Sequence, residues 1–333
     1  MLINNVLITG GCGFLGVSLV NKLLELGSKN IRLIDNLSVG NIKDLEQVCN
    51  FTEIKSIDIE GSPNGVELIV GDIQDINLAR KVSKGIDLIV HFAANTGVGP
   101  SIDNPRDDML VNIEGTFNYL EACRINKISK FIFASSGAPI GEVDPPIHEE
   151  LAPHPVSPYG ASKLAGEGYC SAYKNTFDIN TVILRFGNVY GPGSIHKSSL
   201  IAKFIKKAIK GDVLEVYGDG TQTRDFIYID DLIDAIILSL KTNNISGEIF
   251  QIATNHETTI NEMTKKLIFE LKKQGIKNIN LKNLPKRVGD VKRNFSDITK
   301  AKKRLGWNAR VKINDGLSKT VAYFLNKFDK GVL

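Results

Sequence analysis

Val6-Leu7-Ile8-Thr9-Gly10-Gly11-Cys12-Gly13-Phe14-Leu15-Gly16 is the stretch whose reading decides the fold. The short apolar run at its start is typical of a strand buried in a parallel sheet. It meets a cluster of glycines and then a helical pattern, with Leu15, Leu19, Leu23 and Leu26 on one side. Strand, tight turn and helix follow in that order. Gly11-x-Gly13-x-x-Gly16, with Gly10 just before it, fits the dinucleotide fingerprint. A side chain at these positions would block the turn, the approach of a diphosphate, or close packing of helix on strand. The helix N-terminus adds free N–H groups and the positive end of a dipole.

The next apolar run, Ile31-Arg32-Leu33-Ile34, ends in Asp35. A carboxylate there accepts hydrogen bonds from both ribose hydroxyls and repels a 2′-phosphate, so the expected cofactor is NAD rather than NADP. Asn36 to Gly40 form a polar turn placed to close over the adenosine. Val66 to Val70 read as the following strand. Asp72-Ile73 at its exit either meets the adenine or, in the case of Asp72, caps a helix. Ile86 to Val90 continue into His91-Phe92-Ala93-Ala94, a buried strand ending in residues small enough for backbone to approach a ligand. His91 lies inside that run and reads as structural.

Bulk composition narrows the class. At 333 residues the chain suits one large α/β unit with a smaller partner. A charged fraction of 23% and a net charge of +4, spread along the chain, imply no nucleic-acid or membrane partner. No basic-then-apolar leader precedes the first strand, and no run reaches the roughly 20 apolar residues of a membrane span. Cys12, Cys49, Cys123 and Cys170 lack metal-ligand spacing and read as reduced thiols of a cytoplasmic protein, with no metal site. Helical patterns at 103–126 and 161–176 carry apolar residues on more than one face. Either both faces are buried in the core, or the two helices form a dimer interface.

The best catalytic candidates lie further on. Phe131-Ile132-Phe133-Ala134 is a strand that runs into Ser135-Ser136, and Tyr159 and Lys163 are spaced one helical turn apart. A tyrosine with a pKa near 10 is a poor base at neutral pH. A nearby ammonium together with a positive nicotinamide ring favours the phenolate, and the Ser136 hydroxyl is placed to bond the oxygen that gains or loses a proton.

These residues, together with Leu184-Arg185-Phe186-Gly187-Asn188-Val189-Tyr190-Gly191-Pro192, Gly218-Asp219-Gly220, Arg224-Asp225, Arg287-Val288-Gly289-Asp290 and Leu305-Gly306-Trp307, resemble the extended short-chain dehydrogenase/reductases. The resemblance runs from residue 3 to about 325 and is strongest to the nucleotide-sugar epimerase branch, of UDP-glucose 4-epimerase type. It implies that Tyr159 is the base, that Lys163 holds the nicotinamide ribose, and that Ser136 bonds the sugar 4-oxygen. It places Gly10, Gly11, Gly13, Phe14, Leu15, Gly16, Asp35, Asn36, Gly40, Asp72, Ile73, Phe92, Ala93, Ala94 and Phe186 at the cofactor. It also implies that Asn188, Arg224 and Arg287 hold a diphosphate, where forked arginine bonds suit phosphate oxygens. Tyr217 would stack near the base, and Ser199, Leu200 and Asp290 would line the same pocket. Read from composition alone, Arg287 belongs to a solvated basic face with Lys282, Lys286, Lys292 and Arg293.

Three departures bear on the chemistry. Ile140 stands where the family usually has a tyrosine. Gly137 follows Ser136, where dehydratases and decarboxylases of the family carry an acid. Asn294 falls where the epimerases set pocket size, and it is small enough to admit an N-acetylhexosamine or a uronic acid. His196 and Lys197 either meet a carboxylate or face water.

The expectation is a Rossmann-like doubly wound parallel sheet over 1–184 plus 225–254, with a smaller α/β substrate-binding lobe over 185–224 plus 255–333. Such a protein would be an NAD-dependent epimerase acting on a nucleotide sugar, most simply a UDP-sugar, as a homodimer. Alternatives are a dehydratase, decarboxylase or reductase on the same scaffold, or a non-catalytic NAD-binding sensor.

Overall fold

The computed structural model describes residues 3–286, 289 and 291–331. Its strands in chain order are β1 (Val6–Thr9), β2 (Ile31–Asp35), β3 (Thr52–Glu53), β4 (Val66–Val70), β5 (Leu88–His91), β6 (Lys130–Ser136), β7 (Asn180–Phe186), β8 (Asn188–Tyr190), β9 (Leu214–Tyr217), β10 (Thr223–Arg224), β11 (Phe226–Tyr228), β12 (Glu248–Ile252), β13 (Thr258–Thr259) and β14 (Leu281–Leu284). One sheet takes the order β12-β7-β6-β5-β1-β2-β4-β3. Every neighbouring pair in it is parallel. The strand order reverses between β1 and β5, and the carboxyl ends at that reversal form the crevice where open parallel sheets take ligands.

Both faces of the sheet are covered, as the apolar runs demand. Alternation along β1 sends Val6 and Ile8 to one face and Leu7 to the other. Ile8 joins a core with Leu19 and Leu23 of the helix Phe14–Glu25 and Leu232 and Ile236 of the helix Ile229–Lys241. Leu7 joins a second core with Leu78, Tyr119 and Leu120 from the helices Ile76–Val82 and Gly115–Asn126, and Cys170 and Tyr173 from Pro158–Phe177. In the first helix the buried stripe is Gly16, Leu19, Val20 and Leu23, while Leu26 is exposed. The stripe is therefore turned from the all-leucine line of the sequence pattern.

The remaining elements pack beyond one end of the sheet. β9 pairs with β14 in parallel, β10 with β13 antiparallel, and β8 with β11 in parallel. Around them lie the helices Leu200–Lys210, Ile260–Lys273 and Ile313–Asp329. Phe204, Leu267 and Phe324 belong to the same apolar core as Ile8. Buried polar bonds tie this part to the helix Ile229–Lys241: Trp307 Nε1 donates to the Asp231 carbonyl at 2.8 Å, and Arg310 N and Val311 N donate to the Asp231 carboxylate.

Some local readings change. Residues 41–65, which lack periodicity, hold the helix Ile42–Glu46, capped by Asn41, and the edge strand β3. The pattern over 103–126 is divided into Pro105–Met109, a wide π turn Leu110–Glu114, and Gly115–Asn126. Asp72 is not a helix cap. Its Oδ1 accepts from Gln74 N at 2.9 Å in a local turn, and Asp75 caps the following helix. Among the described residues no helix is long and apolar enough to cross a membrane, no cluster of metal-ligand type occurs, and the cysteines are free.

Candidate active site

The glycine turn is built as a cradle. A Cβ on Gly16 would sit 2.2 Å from the Gly10 carbonyl oxygen and 2.7 Å from that of Gly11. A Cβ on Gly10, whose φ is +69°, would meet Ala93 N at 3.0 Å. The turn is therefore pressed between the helix behind it and the Phe92–Ala93 backbone, which is held by Thr9 through its carbonyl and its Oγ1. The helix Phe14–Glu25 has no side-chain cap at Gly13, so its first N–H groups face outward. Asp35 Oδ2 accepts from Cys12 N at 2.9 Å and Oδ1 from Leu37 N at 2.8 Å. Burial raises its pKa, and these backbone donors oppose the rise. A carboxylate has about four acceptor positions, so room remains on it for a ribose hydroxyl. Gly40 lies directly against this carboxylate, and Asn36 Nδ2 donates to Asp72 Oδ2 at 2.9 Å. Ile73 is buried against Gly115. Taken together, these residues fit a dinucleotide, and NAD bound there supplies reversible hydride exchange with a substrate carbon.

The reactive end lies where β6 meets the helix Pro158–Phe177. That helix starts sharply: Ser157 Oγ accepts from Gly160 N at 3.2 Å, and Pro158 occupies the first turn. Tyr159 and Lys163 follow on one face, and the Ser136 hydroxyl at the end of β6 interacts with the Tyr159 phenol. Burial pushes that phenol up to about 12, with Ser136 opposing the rise and Asp108 adding to it. Burial pulls Lys163 down to about 8, against the support of Asp108 and Glu167. The Lys163 ammonium donates to the Ala134 carbonyl at 3.0 Å and stacks 5.0 Å from the Phe133 ring. The protein's own groups thus keep Tyr159 protonated at neutral pH.

The support around these residues carried no sequence signal of its own. Asn112, on the π turn, donates through Nδ2 to Asp108 Oδ1 and Ser162 Oγ, both at 3.0 Å, and Ser162 Oγ in turn donates to the Tyr159 carbonyl. Glu167, one turn past Lys163, accepts from Ser135 Oγ at 2.6 Å and from both Nε and Nη2 of Arg185 at 2.8 and 2.6 Å. His91 is fully buried, bonded to the hydroxyls of Thr9 and Thr116, and burial lowers its pKa to about 3. It is held as neutral scaffold. Beside Ser136, a Cβ on Gly137 would lie 3.4 Å from Asn294 Nδ2, so the small residue and the amide face each other. Ile140 is fully buried.

The other candidate residues are spread over the elements beyond the sheet. Asn188 exposes its side chain at the start of β8, and Phe186 is half-buried at the end of β7. Tyr217 ends β9 with the Lys203 ammonium 5.5 Å from its ring centre. Arg224 Nη1 donates to the carbonyls of Thr223 and Val291. Ser199 and Leu200 open the helix Leu200–Lys210. Arg287 and Asp290 lie outside the described residues. A cavity of about 610 Å³ opens beside the glycine turn, with Gly13, Phe14, Val39, Asp44, His196 and Lys197 in its wall. Ser136, Tyr159 and Lys163 do not line it. His196 meets a carboxylate, Asp44, with Nε2 to Oδ2 at 3.2 Å.

Residues 6–253 match the model of the NAD dependent epimerase/dehydratase family. A putative UDP-glucose 4-epimerase of Methanocaldococcus jannaschii is 34% identical, covering 96% of this chain and 98% of that protein. Among solved structures, a UDP-glucose 4-epimerase of Thermotoga maritima with UDP-glucose superposes with a TM-score of 0.86 at 31% identity, over 98% of this chain and 100% of that one. A dTDP-glucose 4,6-dehydratase of Streptomyces venezuelae with NAD bound reaches 0.87 at 28% identity, over 98% of each chain.

Proposed function

The chain belongs to the NAD dependent epimerase/dehydratase family, and from that membership we propose that it inverts C4 of a UDP-sugar of the glucose, N-acetylglucosamine or glucuronate type through a transient 4-keto sugar. In this reading Tyr159 accepts the proton of the sugar 4-hydroxyl and later returns it, and Ser136 holds the 4-oxygen in line with the phenol. Lys163 holds the nicotinamide ribose and contributes positive charge near Tyr159. Asn188, Arg224, Tyr217, Ser199 and Leu200, with Arg287 and Asp290, hold the nucleotide. Anchoring the nucleotide leaves the sugar loose enough to present its opposite face.

The observation that carries this reading is the pairing of Gly137 with Asn294 beside Ser136. Dehydratases and decarboxylases of the family that this chain resembles carry an acid next to the serine, and neither residue supplies one. An amide opposite a glycine leaves room and a hydrogen-bonding group for a substituted or carboxylated sugar. We also assign the exposed apolar residues Met109, Ile125, Tyr169 and Phe177 to a homodimer contact, and the free thiols to a cytoplasmic setting.

The test is to incubate the purified protein separately with UDP-glucose, UDP-N-acetylglucosamine and UDP-glucuronate without added cofactor, following the sugar by proton NMR. The expected outcome is the 4-epimer of one of them, with Tyr159→Phe slower by roughly two to four orders of magnitude. Release of water or CO2, or net consumption of cofactor, would transfer the assignment to the dehydratase, decarboxylase or reductase alternatives.

A further inference from the structure

Lys197 has a charge that neither the fold nor the proposed reaction uses. It follows the short turn Ser194–His196 and is half-buried in the wall of the cavity shared with Gly13 and Phe14. Its carbonyl is pinned by the Lys206 ammonium at 2.9 Å, which also holds the Ile195 carbonyl. Its own ammonium has no hydrogen-bond or ion-pair partner among the described residues. Asp44, a carboxylate of the same wall, is taken by His196.

The cavity wall carries Glu25, Asp44, Asp230 and Asp234 as well as Lys22, and none of these carboxylates pairs with Lys197. Lys163 feels Lys197 as a repelling charge. The N-terminus of the helix Phe14–Glu25, without a side-chain cap at Gly13, borders the same cavity through Gly13 and Phe14. Burial lowers the pKa of Lys197, the expected response of an ammonium stripped of water without a counter-charge. An unpaired charge in such a place is costly unless an anion arrives with a ligand.

We propose that Lys197 is an anion contact for the bound molecules, its ammonium pairing with an anionic oxygen of the ligand. Two sources carry that chemistry. One is the diphosphate of NAD seated on the glycine turn. The other is a carboxylate on the sugar, a source that rests on the function proposed above.

The experiment uses the NAD-loaded protein and its Lys197→Met, Lys197→Gln and Lys197→Arg variants. Exchange of bound NAD for isotopically labelled NAD is followed by mass spectrometry, and binding of UDP-glucose and UDP-glucuronate by calorimetry. Faster NAD exchange in the Met and Gln variants, by about tenfold or more, with Arg restoring it, assigns the diphosphate. Unchanged exchange with a selective loss of UDP-glucuronate affinity of similar size assigns the carboxylate. Unchanged NAD exchange together with an unchanged ratio of the two sugar-nucleotide affinities overturns the proposal. The NAD arm does not depend on which sugar is turned over, so an error in the substrate leaves it standing.

Discussion

His91 shows how one buried side chain gives the fold a pH limit. Its folded pKa is about 3, against about 6.5 in an unfolded chain. The folded state therefore holds neutral His91 at pH values where the unfolded chain has already taken up a proton. Stability from this residue is complete above pH 6.5 and is lost as pH falls toward 3, at about 1.4 kcal/mol per pH unit. Urea unfolding at pH 7 and pH 5 is expected to show this loss, and a His91→Asn variant is expected to show a shallower dependence. A pH slope no different in the variant would mean that burial does not hold the imidazole neutral. His91 was legible as structural from its place inside an apolar run. For Lys197 the sequence left two readings open, and Asn112 carried no signal at all, because what marks both is the company assembled from distant segments.

Among elements, two junctions invite tests. The first joins β1 to its helix. Gly16→Ala drives a methyl group into two backbone oxygens, so it is expected to destabilise the protein by more than about 2 kcal/mol and to abolish NAD retention. Gly168→Ala, on the open side of another helix, is expected to leave the NAD content of purified protein unchanged. The second junction is the Glu167–Arg185–Ser135 cluster, which ties the helix bearing Tyr159 to both β6 and β7. Glu167→Gln leaves a buried guanidinium uncompensated and is expected to cost about 3 to 5 kcal/mol in urea unfolding. Glu167→Leu/Arg185→Met is expected to recover much of that loss. A loss in Glu167→Gln below about 1 kcal/mol would show that the pair does not brace the site. The strand, the turn and the helix bearing Tyr159 were readable because each is a local pattern of contiguous residues. β3 is too short to show a period, and β9 with β14 pairs segments far apart in sequence.

For the whole molecule, the apolar core passes from the sheet into the elements beyond it without a break. Ile8, Phe204, Leu267 and Phe324 belong to one cluster. The helix Ile313–Asp329 is therefore part of the core of the nucleotide-binding half as well. A chain cut after residue 306 is expected to be insoluble or protease-sensitive rather than to leave a stable NAD-binding domain, as limited proteolysis of the expressed fragment would show. A soluble fragment that retains NAD would overturn this. The doubly wound sheet was legible from the alternation of apolar runs and turns. The continuity of the core was not, since each amphipathic helix reads the same whether its partner is near or remote.

The place of β12 beside β7 has a consequence for synthesis of the chain. When residues through Phe186 have left the ribosome, β7 presents an open parallel edge in a sheet that is otherwise complete. The strand that covers it is not made until Ile252, and in between the ribosome produces all of Asn188 to Lys241. An apolar edge left uncovered for that interval is a template for pairing with other nascent chains. Translation speed between β7 and β12, and the chaperones that meet the chain there, therefore govern the yield of folded protein.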